Sequence, residues 1–123
     1  MRLLADASFP RSVAGPQGDG HLIERYADVP TSDVDLVLYA ERALFDVVVF
    51  LGRSASAEPS LRSLVSRPGI PVIAFTATDD PADAALYVRL RVEDVSAAVL
   101  SKKAPAWLIR KHDIQPMDLT TNG

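Results

Sequence analysis

The chain has 123 residues, 48% of them hydrophobic and 24% charged, proportions that exclude a disordered chain or a fibrous repeat and bound it to one domain, residues 1–123. It has no cysteine, which removes disulfides, thiolate metal sites and cysteine nucleophiles together and fits a reducing compartment. A net charge of −3 excludes a global pull toward phosphate backbones or anionic lipid.

The opening residues 1–6 are too short an apolar run for a signal peptide and carry an acid, and no run reaches the roughly 18 apolar residues of a membrane span. These features place the chain in the cytoplasm with no membrane partner. Leu3-Leu4-Ala5 reads as a short buried strand ending in Asp6. A weak helical stretch at 9–13 is cut off by Gly15-Pro16, Gly18 and Gly20, so the first crossover is loop-rich. A second strand starts at His21 and runs to residue 27, only partly alternating, as suits a strand exposed on one face.

Residues 31–35 carry a helix start: a capping hydroxyl at Ser32, an acid three residues on, and early carboxylates at the positive helix end. Val34, Val37, Leu38 and Leu44 form its apolar stripe. Residues 46–51 are an uninterrupted β-branched run, the pattern of a central strand covered on both faces. A helix over 58–67 follows, stopped by Pro68-Gly69, then a buried strand over 70–75. Asp80-Pro81 caps a long helical region with Leu86, Leu90, Val95 and Val99 as apolar positions, in one helix or two. Residues 106–110 and 114–119 read as a terminal hairpin.

Strands alternating with helices predict an α/β fold of three layers, a mostly parallel central sheet flanked by helices on both faces, with right-handed crossovers. Ligands of such sheets gather outside the carboxyl ends of the strands, which directs attention to Asp6, Ser8, Asp28, residues 51–54 and residues 76–80. Residues 1–52 carry four Lys/Arg against eight Asp/Glu, and residues 53–123 nine against eight. The first half therefore suits a cation or a basic partner better than nucleic acid.

Taken alone, Asp6 is either an oxygen ligand for a hard cation or a carboxylate capping its own loop. His21, without cysteines or clustered histidines around it, reads as a hydrogen-bonded core or edge residue. The basic pairs Arg89/Arg91 and Lys102/Lys103 read as solvated helix positions, and Trp107 as core or interface rather than a base-stacking platform.

Residues 1–11, MRLLADASFPR, followed by Gly20-His21, Ser32-Asp33 and Ala40 before a β-branched strand, resemble the short PIN-like proteins of toxin–antitoxin contexts. The resemblance is specific over residues 3–11 and follows element order elsewhere. It implies a ribonuclease in which carboxylates hold Mg²⁺ or Mn²⁺ and the metal activates water, with Asp6 and Asp33 as catalytic and metal-binding acids. The family's Asp-x-Asp after the third strand is replaced here by Leu51-Gly52-Arg53. Two carboxylates are lost and a guanidinium added.

The expectation is therefore a catalytically degenerate PIN-like protein with no resident cofactor, which binds an antitoxin-like protein partner or RNA, a homodimer also being open. Ser8 and Arg53 are its phosphate-binding candidates. The alternative is an active Mg²⁺- or Mn²⁺-dependent ribonuclease in which Asp79 or Asp80 completes a rearranged acid cluster. Residues 45–51 with 67–77 resemble, more weakly, a response-regulator receiver domain, whose conserved hydroxyl falls on Thr76 and whose phospho-acceptor position falls on Leu51. That implies a phosphorylation-independent pseudo-receiver.

Overall fold

Every residue of the strand Val47–Phe50 is buried, as a run of Val-Val-Val-Phe requires when both faces of a sheet are covered. In the computed structural model, which describes residues 1–26, 32–65 and 67–119, this strand is the middle one of seven. The strands are β1 (Arg2–Ala5), β2 (Gly15–Gln17), β3 (His21–Arg25), β4 (Val47–Phe50), β5 (Val72–Thr76), β6 (Ala106–Ile109) and β7 (Ile114–Met117), in the order β2-β3-β1-β4-β5-β6-β7. Neighbours from β3 to β6 run parallel, while β2 and β7 pair antiparallel at the two edges. Each edge strand has a proline inside it, Pro16 opposite Leu22 and Pro116 opposite Trp107, which interrupts the row of N–H donors another chain would need.

The helices are α1 (Asp33–Arg42), α2 (Pro59–Leu64), α3 (Pro81–Leu90) and α4 (Val92–Ser101). Ser32 caps α1 by accepting from Asp35 N, and Asp80 caps α3 by accepting from Asp83 N. Strand alternation divides the core in two. Leu4, Val48, Ile73, Phe75 and Leu108 face α1 and α2, whereas Leu3, Ala5, Val49, Ala74 and Ile109 face α3 and α4. Phe50 and Phe75, paired in register, stack 5.7 Å apart beneath α2's leucines.

Several expected boundaries change. The helix expected over 58–67 is the shorter α2, and the 46–51 and 70–75 strands begin or end a residue or two away. The long helical region is two helices that meet at Arg91. β2 was hidden behind Gly15-Pro16, residues that break a central strand but suit an edge. Leu86 and Leu90 are exposed, and α3 buries Ala84, Ala85 and Val88 instead. Leu44 lies beyond α1 and is 79% exposed. Residues 27, 28 and 31, which the sequence reading used, lie outside the described residues.

The crossovers are not all of one hand. The β4-to-β5 and β5-to-β6 connections advance in the same direction across the sheet, the first over the α1–α2 face and the second over the opposite face. They therefore have opposite hands, against the usual rule. The β1-to-β3 connection contains only a 3-10 turn at Arg11–Val13 and β2, which leaves its face short of cover, and α3 packs against that turn. Two helices in the final connection close this gap.

Candidate functional site

After β1 the chain turns toward the α3–α4 face, burying Phe9 and Val13, while after β3 and β4 it turns toward the α1–α2 face. Loops that part in opposite directions from neighbouring strands leave a crevice at their carboxyl ends. Asp6 stands in it. The carboxylate Oδ1 accepts from Ser8 N at 2.8 Å, and Oδ2 accepts from Leu51 N at 3.0 Å, which ties the end of β1 to the end of β4. Burial pushes the Asp6 carboxyl above its ordinary value, against the opposing pull of these backbone donors.

Ser32 and Asp33, at the start of α1, form the other wall of a cleft of about 230 Å³ that Asp6, Ser8, Tyr26 and Leu36 complete. The cleft continues into a second hollow of about 580 Å³, where Ser32 and Asp33 meet Glu58 and Ser60 at the start of α2. The Asp33 carboxyl is raised by burial first, then by the negative charges of Asp6 and Glu58. Three acids thus share one electrostatic neighbourhood. Among the described residues, no three His, Cys, Asp or Glu side chains stand close enough to hold a metal ion between them.

Arg25 braces the loop from beneath, its guanidinium donating to the carbonyls of Phe9 and Ala7. A charged donor on two carbonyls fixes the approach of residues 6–10 and hence the aim of Asp6. Leu51 packs its side chain with the α3–α4 core and offers the crevice only its N–H. Arg53 is exposed and precedes the 3-10 turn at Ser54–Ala57, where its carbonyl accepts from Ser56.

Thr76 is fully buried. Its hydroxyl donates to Thr78 O at 2.9 Å and accepts from Gly52 N at 2.8 Å, so the group expected at a binding site is engaged in joining β4 to β5. Gly52 has φ +75°, and a Cβ there would stand 2.1 Å from an Asp79 carboxylate oxygen. Asp79 therefore rests on the Gly52 backbone, and Asp80 is engaged at its helix cap.

The structure brings Asp6, Ser8 and Asp33 together and sets Thr76 inside the sheet. Glu58 and Arg25 escaped the sequence reading. In sequence Glu58-Pro59 signals only a helix start, although its place soon after a parallel strand marks it as a rim residue. Nothing local marks Arg25, because its carbonyl partners lie across the β1–β3 pair.

Fold and site together define an α/β protein with a doubly wound parallel core and an acidic cleft at its carboxyl edge. Comparison with family models, with curated proteins and with solved structures finds no match to the chain.

Proposed function

We propose that the chain is a PIN-like protein of toxin–antitoxin type that has lost ribonuclease chemistry and acts by binding a protein partner. The observation that carries this reading is the state of Asp6: each carboxylate oxygen is already held by a backbone N–H, one of them from Leu51, where the family's pattern has an acid. A hard cation needs several oxygen ligands converging on one point, and the described residues offer no such donor set. The charges of Asp6, Asp33 and Glu58 repel a phosphate backbone and favour a lysine or arginine of a partner protein.

Purified protein incubated with single-stranded and structured RNA in Mg²⁺ or Mn²⁺ should leave the RNA intact, and calorimetry should find no micromolar site for either ion. Metal-dependent cleavage that disappears in Asp6→Asn overturns this reading in favour of an active ribonuclease, with Glu58 as its further acid.

A pseudo-receiver is the second reading. The five parallel strands, taken in chain order, lie 2-1-3-4-5, the flavodoxin-like order that receivers share. The missing helix after β1 and the opposite-handed final crossover weigh against it.

A further inference from the structure

We infer that the groove at the amino ends of β4, β5 and β6, at the opposite edge of the sheet from the acidic cleft, docks a protein segment that is both apolar and acidic. The groove holds about 610 Å³, and its walls are the three loops that enter these strands, with Asp46, Ile70, Val72, Val99, Lys102 and Lys103 among the lining residues.

Two helices end at this groove in an unusual way. Phe45 N donates to Ala40 O at 2.9 Å and Leu44 N to Glu41 O at 3.3 Å, the paired bonds that close a helix when the intervening residue adopts left-handed backbone. Glycine ordinarily fills that place, and here it is Leu44, with φ +64°. Lys102 ends α4 in the same conformation, with φ +54°. Among the described residues these are the two non-glycine residues with positive φ, and they belong to the two helix ends that meet the groove.

Leu44 is wrong for its backbone and also for its surroundings. Together with Leu100, next to Val99 in α4, it is the most exposed large apolar side chain described, each at 79%. An observed outlier at an exposed position points to a contact made outside the free chain.

Charge selects the partner. Lys102 and Lys103 form no ion pair among the described residues. Glu41 nearby is bound by Arg67, and Asp46, in the groove wall, accepts from the neutral Arg2 N–H, so one carboxylate stands against two lysines. The lining is net positive, so the segment that fits carries leucine-like side chains for Ile70 in the groove and for Leu44 and Leu100 beside it, and carboxylates for the lysines.

The test uses the full chain, labelled with ¹⁵N, and a short synthetic amphipathic peptide of leucines and glutamates. Chemical-shift changes are expected at Leu44, Val72, Val99 and Lys102, with affinity falling about tenfold in the Lys102→Glu/Lys103→Glu variant. The counterpart peptide with lysines in place of glutamates should leave these residues unmoved. Leu44→Gly relieves the backbone and should raise the melting temperature, yet weaken peptide binding. A purely structural Leu44 would give the first effect without the second.

No response at these residues, equal binding of the lysine peptide, or unchanged binding in Leu44→Gly overturns the inference. Self-association that Leu100→Glu abolishes also overturns it, because the occupant is then a second copy of the chain. None of these readouts depends on RNA or metal, so they leave the reading of the acidic cleft where it stands.

Discussion

Replacing Thr76 by valine removes one hydroxyl and leaves the volume nearly unchanged, which separates hydrogen bonding from packing at the heart of the β4–β5 junction. The hydroxyl makes two bonds, accepting from Gly52 N at 2.8 Å and donating to Thr78 O at 2.9 Å, and both Thr76 and Gly52 are buried. Stranding the Gly52 N–H costs about 1–3 kcal/mol, and losing the bond to Thr78 O about 0.5–1.5 kcal/mol more. The methyl that replaces the hydroxyl recovers about 0.8 kcal/mol of apolar burial. The balance is a loss of about 2 kcal/mol, or roughly 8 °C in melting temperature for a domain of this size. Thr76→Ser is the control, since it keeps the hydroxyl and drops a methyl, at about 1 kcal/mol. Urea unfolding followed by circular dichroism measures both. A valine variant as stable as the serine variant, or as the wild type, refutes the reasoning and returns the Thr76 hydroxyl to a role outside the fold.

Val48, fully buried at the middle of the sheet, should tolerate no charge: Val48→Asp should cost at least about 4 kcal/mol and abolish cooperative unfolding, and a normal melting curve would mean that the register is wrong. Gly52→Ala must take φ +75° and displace the Asp79 carboxylate, so a loss of about 1 kcal/mol or more is expected from thermal melts, shrinking in an Asp79→Ala background. Carboxyl NMR should find Asp33 titrating above its ordinary value and moving down in Glu58→Gln and again in Asp6→Asn; an unmoved midpoint would deny the shared neighbourhood of the three acids. Asp6 and Asp33 both have folded-state values above the unfolded one, so they bind protons more tightly when folded. Their contribution favours folding at acid pH and is lost as pH rises through the raised values, which pH-dependent urea titrations of wild type and Asp33→Asn should resolve.

Some of this molecule was decided within a few residues of chain. The runs around Val47–Phe50 and Val72–Thr76 announce buried strands because their apolar residues leave no face for water. Ser32 and Asp80 announce their helices because a cap bonds to an amide three positions on. Placing Asp6 at the carboxyl edge needed only its position after the first strand.

Side-by-side strand order decided the rest. Leu51 reaches Asp6, Glu58 repels Asp33, and Arg25 holds Ala7 only because β3, β1 and β4 are neighbours in the sheet. Those pairings couple residues far apart in sequence, and helical or strand periodicity carries no record of them. The final crossover likewise took the opposite face to cover what a helix-free first connection left bare. Leu44 shows the limit most plainly: helical spacing assigned it to the apolar stripe of α1, and the helix ended two residues too soon to bury it.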